Sequence, residues 1–259
     1  MNDMTQAQKV AAGQNVIRKV ERGDGETLQI HEVFMTIQGE GPFSGRRAVF
    51  VRETGCSLGC WWCDTVWDDG GDKWSVVEKI VDRVVVAWAQ GTQDWSFNPS
   101  SSPDPLIVLT GGEPLRQPQE SLLAEIFRRM PNAKVQIETA GVHYQDCINR
   151  AYVYTVVSPK TAKVDECIRH LACAWKYIIR AEDPRDPEDG LPTASTQRKG
   201  EIARLARPPA TTAREDIFVS PCDEGDPIKN AANLELCVGL VKVFGYRLSL
   251  QVHKIANLP

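Results

Sequence analysis

Three cysteines, Cys56, Cys60 and Cys63, share the short stretch Gly55-Cys56-Ser57-Leu58-Gly59-Cys60-Trp61-Trp62-Cys63-Asp64-Thr65, at C-x3-C-x2-C spacing. The chain has 8 cysteines in 259 residues. At that frequency, a cysteine with two more at +4 and +7 arises by chance in about one such chain in a hundred. Thiolates are ligands for iron–sulfur clusters and for zinc. Structural zinc takes four closed ligands, usually as two separated pairs. Cys147, Cys167, Cys173, Cys222 and Cys237 form no second C-x2-C pair. Three thiolates on a four-iron cluster leave one iron open, which binding and chemistry require. The triplet therefore points to a [4Fe–4S] cluster, with a zinc module and metal-free buried thiols as the alternatives.

Other polar groups fall at the ends of apolar runs. Thr110-Gly111-Gly112-Glu113-Pro114 closes one run, and its glycines let the backbone approach a ligand. Ser158-Pro159-Lys160 and Ser220-Pro221-Cys222-Asp223 close two others. Each is also what a polar strand-ending turn looks like. Two at one sheet edge are more suggestive, because ligands lie at the carboxyl ends of parallel strands. Gln38 and Glu40, two residues apart in Ile37-Gln38-Gly39-Glu40-Gly41, could read the edge of a heterocycle, or face solvent. Arg52 carries a charge in an apolar strand and needs an anion, either a substrate carboxylate or a structural partner.

The elements that must position these groups are legible as runs. Residues 28–38 form a strand candidate. Six short apolar runs, 48–51, 106–109, 135–137, 152–157, 175–179 and 217–219, read as parallel strands covered on both faces. Helical patterns at 75–89, 121–130 and 227–244 separate several of them. Alternation of this kind predicts an α/β fold, and six units suit an open, partial parallel β/α barrel rather than a closed eightfold one. Residues 1–27 read as a poorly ordered N-terminal extension and 28–259 as the catalytic domain. The stretches 98–105 and 182–215 read as surface insertions. Residues 246–253 alternate Leu248, Leu250 and Val252 and predict a half-buried last strand. The net charge of −4 offers no basic excess for nucleic acid. There is no apolar run of transmembrane length and no signal-peptide core. These features predict a cytoplasmic protein with reduced thiols and no membrane partner.

The cysteine loop after a first barrel strand resembles the radical S-adenosylmethionine (SAM) superfamily. The run from Ile37 to Thr65 resembles the 7-carboxy-7-deazaguanine synthases more narrowly. It is joined in order by Thr110–Pro114, Ile137–Gly141, Ser158–Lys160 and Ser220–Asp223. The resemblance implies a [4Fe–4S] cluster on Cys56, Cys60 and Cys63, with SAM on its open iron. It implies Trp62, Cys63, Asp64, Gly112, Ser158, Pro159, Lys160, Ser220, Pro221, Cys222 and Asp223 as SAM neighbours. Lys160 would meet the SAM carboxylate and Asp223 a ribose hydroxyl. Ile37, Gln38, Gly39, Glu40, Arg52, Thr110, His253 and the terminal Pro259 would hold 6-carboxy-5,6,7,8-tetrahydropterin, and Thr65 would hold Mg2+. Hydrogen abstraction from C6 would start a ring contraction to 7-carboxy-7-deazaguanine with loss of ammonia and regeneration of SAM. A homodimer fed by an electron donor such as flavodoxin is implied as well.

Ser57 and Cys222 depart from the family pattern, where Asn and Gln are commoner. A radical SAM activase of a glycyl-radical protein is the rival enzyme reading. It would share the cysteines and the glycine turn, but would not need Gln38, Glu40 and Thr65 together.

Overall fold

The computed structural model describes residues 15, 17–67, 74–93, 104–196 and 201–258. The first half of the chain runs β1 (Thr27–Ile37), β2 (Arg47–Glu53), β3 (Trp74–Val76), α1 (Val77–Gln93), β4 (Leu106–Gly111), α2 (Glu120–Arg129) and β5 (Lys134–Thr139). It continues through β6 (Val153–Val157), α3 (Glu166–Leu171), β7 (Ala172–Ile179), β8 (Ala194–Thr196), β9 (Ile202–Arg204) and β10 (Ile217–Pro221). The last elements are α4 (Pro227–Phe244), β11 (Arg247–Leu248) and α5 (Val252–Ala256). All six apolar runs are strands of one sheet, ordered β11-β10-β7-β6-β5-β4-β2-β1-β3. From β2 to β11 every pairing is parallel, while β1 and β3 add antiparallel strands at one edge. The sheet thus has seven parallel strands, the two-residue β11 joining the six expected from sequence.

Within the continuous apolar runs a period of two decides which face each residue takes. Val49, Val51, Ile107, Leu109, Val135, Ile137, Trp175, Tyr177, Ile217 and Val219 pack into the main core, together with Ile80, Val81 and Val84 of α1 and Leu122 and Ile126 of α2. The alternate positions face the other side, where Ala48, Leu106 and Val108 form a small cluster and Val156, Ala174 and Phe218 another. Further along the same face, Arg52, Thr110, Glu138, Ser158, Ile178 and Ser220 line a cavity.

One ion pair reveals the curvature. β1 and β7 are five strand spacings apart, about 24 Å in a flat sheet. Yet Glu40, just after β1, pairs with Lys176 of β7. The sheet therefore curls until the turn leaving β1 lies across its concave face, where Phe43 meets Tyr154 edge to face. Among the described residues the two end strands do not pair, so the barrel is open.

Local chemistry sets the element ends. Asp226 caps α4 by accepting from Ile228 N at 2.9 Å, Pro227 opens the helix, and Gly245 at φ 76° ends it. Beyond β11 the expected half-buried strand does not continue. Its partner β10 ends in Pro221, which has no N–H to extend the ladder, and Val252–Ala256 is a helix instead. That short helix brings Gln251 and Lys254 together on Asp64. The stretch 182–215, read as a surface insertion, sends Leu191 and Ala206 into the core, and Tyr177 donates to Ala206 O at 2.8 Å. Of the other insertion, 98–105, all but the last two residues lie outside the described residues.

Candidate active site

One cavity, enclosing about 1440 Å³ of space including its open mouth, occupies the concave face and the carboxyl ends of the parallel strands. Cys56, Cys60 and Cys63 line it, as do Trp62, Asp64 and Thr65 of the same loop. The strand-end motifs contribute Thr110, Gly112, Ser158, Lys160, Ser220, Pro221, Cys222 and Asp223, and the substrate candidates Gln38, Glu40, Arg52 and His253 complete the set. Ile37, Gly39 and Pro159 fall outside its lining. Pro259 lies outside the described residues.

Two close backbone approaches assemble these parts. Gly112 N donates to Glu53 O at 2.9 Å and Glu113 N to Gly55 O at 2.8 Å. A Cβ on Gly112 would stand 2.0 Å from Gly55 O, so the glycine turn presses against the start of the cysteine loop. The glycines expected to face a ligand thus make room for protein backbone as well. Gly39 has the same role at the other end of the chain: a Cβ there would stand 2.5 Å from Leu250 O. Its bareness lets the segment before α5 settle over the turn that carries Gln38 and Glu40.

The cavity polarity is ordered by ion pairs. Glu40 and Lys176 are joined in a buried pair. Burial disfavours the Lys176 ammonium, but the carboxylates of Glu40 and Glu138 outweigh it and hold its pKa above the ordinary lysine range. Gln38 donates to Glu138 at 3.0 Å and Thr110 donates to it at 3.3 Å, so three strand ends converge on one carboxylate. Burial lowers the Lys160 pKa, and its ammonium donates to Ser158 O at 2.8 Å and lies 5.6 Å from the Trp62 ring centroid. Lys254 bridges Asp64, at 3.1 Å, and Asp223, at 2.9 Å. Burial opposes the Asp223 carboxylate, yet the Lys254 bond and two further hydrogen bonds bring its pKa down to about 2. Arg52 pairs with Glu32 rather than standing alone, and its Nε is buried without a partner among the described residues. His253 lines the cavity with its pKa lowered by burial.

Several of these groups escape a reading of the sequence. Lys176 sits inside an apolar run and reads as a strand residue. Glu138 lies in Ile137–Gly141, so the motif points to it without giving it a role. Glu113 accepts from Thr139 Oγ1 at 2.6 Å and Ala140 N at 2.8 Å, which ties the turn after β4 to the carboxyl end of β5. Ser57 is bonded to His143 at 3.0 Å, a contact 86 positions apart in sequence. Gln251, Lys254 and Asn15 come from the chain's far ends.

The donor set fits an iron–sulfur cluster. Three thiols of one loop turn into one cavity, close enough that charge on Cys60 and Cys63 acts on Cys56. Burial first, then Glu113, pushes the Cys56 thiol up to about 12. Burial and Asp64 push Cys63 up to about 11. Cys147, Cys173, Cys222 and Cys237 are raised as well, so what sets the triplet apart is its place together on one loop in the cavity.

The buried pair generates a stability test. Lys176→Met leaves Glu40 without its partner and should cost about 3 kcal/mol in anaerobic urea unfolding. Glu40→Gln combined with Lys176→Met should lose less than the single Lys176→Met. Equal losses would show that the pair does not hold the turn to β7.

No family model matches the chain. Two curated relatives are similar over almost all of it. The 7-carboxy-7-deazaguanine synthase of Rhodospirillum rubrum is 40% identical over 251 residues, covering 95% of this chain and 99% of the relative. That of Rickettsia prowazekii is 33% identical, covering 95% of each. Among solved structures, QueE from Escherichia coli shares the fold at a TM-score of 0.57 and 24% identity, covering 87% of this chain and 94% of its own. With the cysteine loop and the strand-end motifs gathered in one cavity and such identity along its length, the chain belongs to the 7-carboxy-7-deazaguanine synthase family.

Proposed function

We propose that the chain converts 6-carboxy-5,6,7,8-tetrahydropterin to 7-carboxy-7-deazaguanine with loss of ammonia, in 7-deazapurine (queuosine) biosynthesis. It does so as a carbon–nitrogen lyase, with a [4Fe–4S] cluster on Cys56, Cys60 and Cys63 and with SAM. The observation that carries this reading is the single cavity shared by the three thiols and the strand-end motifs. Held there by Cys56, Cys60 and Cys63, the cluster with SAM would supply the one-electron chemistry for hydrogen abstraction.

The chain's own residues bind and orient. Gly112, Ser158, Lys160, Asp64 and Ser220–Asp223 surround SAM. Lys160 offers a buried ammonium to its carboxylate, and Asp223 a ribose contact once Lys254 yields. Gln38, Glu138 and Thr110 form a hydrogen-bonding edge suited to a pterin. The buried Nε of Arg52 suits an approaching substrate carboxylate. Residues 28–259 make up the catalytic domain, with 1–27 as an extension. The same reading includes a cytoplasmic homodimer supplied by a donor such as flavodoxin, without nucleic acid or membrane partners. The net charge of −4 supports only the absence of a nucleic-acid partner. Among the described residues no helix is long and apolar enough to cross a membrane.

The test is anaerobic turnover. Reconstituted protein with SAM, reductant, Mg2+ and the pterin should develop the deazaguanine chromophore. Cys60→Ala should lose both turnover and iron, while Cys147→Ala and Cys237→Ala keep both. Full turnover in Cys60→Ala would sink the assignment.

Thr65 lines the cavity one residue after Asp64, and its hydroxyl suits Mg2+, which keeps most of its waters and needs few protein oxygens. Thr65→Ala should weaken the Mg2+ dependence of turnover with unchanged iron content. An unaltered Mg2+ titration would refute that role.

His253 and the tail that ends in Leu258 and Pro259 would complete the substrate site. Deleting Leu258 and Pro259 should raise the substrate KM while iron and SAM binding persist, and an unchanged KM would rule the tail out.

A further inference from the structure

The chain before β1 is not needed to name the family or to place its motifs, yet Asn15 and residues 17–21 are bonded to both ends of the cysteine loop. Asn15 is buried, at 1% exposure, and lines the cavity. Its Nδ2 donates to Thr65 O at 2.7 Å, and Trp67 N donates to its Oδ1 at 3.1 Å. One side-chain amide thus answers the main chain on either side of Val66, as a neighbouring strand would. Two residues on, Ile17 forms a parallel bridge with Cys56, and Arg18 N donates to Cys56 O at 2.8 Å. The far end is anchored by Arg116, whose O accepts from Glu21 N at 2.8 Å and whose Nη1 donates to Lys19 O at 2.9 Å. The same guanidinium donates to Thr54 O at 3.0 Å, just ahead of Gly55. The strap therefore grips the loop at its first cysteine and again two residues past its last.

We propose that Asn15 is a positioning residue of the active site: set beside the strap of residues 17–21, it fixes the main chain at Thr65 and Trp67 so that Cys63, Asp64 and Thr65 face the SAM position. This rests on the proposed occupancy of the cavity by cluster and SAM. The physical case is burial: Asn15 is almost fully enclosed, so solvent is poorly placed to replace a two-way amide clamp, and its loss frees the loop end it holds. The cysteines remain on their loop and still bind iron, so the effect falls on SAM rather than on cluster content.

The test uses full-length, anaerobically reconstituted enzyme. Asn15→Ala removes both bonds. Asn15→Asp keeps the acceptor for Trp67 N but sets an oxygen against Thr65 O, so it should not rescue. Both variants should keep wild-type iron content and a Tm within a few degrees. Both should bind SAM about tenfold more weakly, read from SAM titration of the reduced cluster's EPR spectrum, with the KM for SAM rising more than kcat falls. Hydrogen exchange at the Trp67 amide should quicken. An unshifted SAM titration in Asn15→Ala would overturn the proposal. So would a fall in iron content together with Tm, which marks a purely structural contact, or full rescue by Asp. If the wild-type spectrum does not respond to SAM, the cofactor reading itself fails, while exchange at Trp67 still reports whether the clamp exists.

Discussion

The close approach of two backbones, residues 53–55 leaving β2 and residues 111–113 leaving β4, is the constraint on which the site depends. Side chains at Gly111 or Gly112 would collide with backbone at 2.2 Å or less, so only glycine permits the contact. Once it forms, the cysteine loop is drawn over the carboxyl ends of the strands, and its thiols must look into the concave face. On its other side Gly55, at φ 91°, packs against the Arg116 guanidinium, where any Cβ would meet Nε at 2.6 Å. The loop is thus held between a glycine turn and an arginine that also ties down the strap.

Within the cavity, charges are arranged as linked pairs rather than single groups. Glu40 answers Lys176, and Lys254 answers both Asp64 and Asp223. Each link joins segments far apart in sequence: the turn after β1 to β7, and the cysteine loop to the end of the chain. Burying a lone carboxylate or ammonium is costly, so each partner makes the other's burial tolerable, and together they tie distant segments across the concave face. The family assignment and this arrangement agree on a site built for a small, polar, ring-shaped substrate beside a cofactor. The identity with 7-carboxy-7-deazaguanine synthases along nearly the whole chain weighs against the activase reading.

Much of this was legible in the residues. The cysteine spacing named its chemistry because ligand spacing on a short loop is a local property. The six strands were legible because strands covered on both faces must be apolar throughout. Caps and breakers such as Asp226, Pro227 and Gly245 act within a few residues, so the bounds of the long helix after β10 could be read as well. The strand expected over 246–253 is present only as Arg247–Leu248, since alternation of Leu248, Leu250 and Val252 cannot reveal that the neighbouring strand stops at a proline.

By itself, then, the sequence determined the cysteine triplet as a candidate ligand set, the parallel α/β plan and the order of the site motifs, all of which follow from short-range periodicity and spacing. Tertiary structure alone decided which partners those groups meet: Lys176 for Glu40, Glu138 for Gln38 and Thr110, Lys254 for the two aspartates, and Asn15 for the loop's far end. Those choices depend on how far the sheet curls, and curvature is set by packing summed over every strand. No local run of residues carries that sum, so residues 40 and 176, or 15 and 65, meet only in the folded chain.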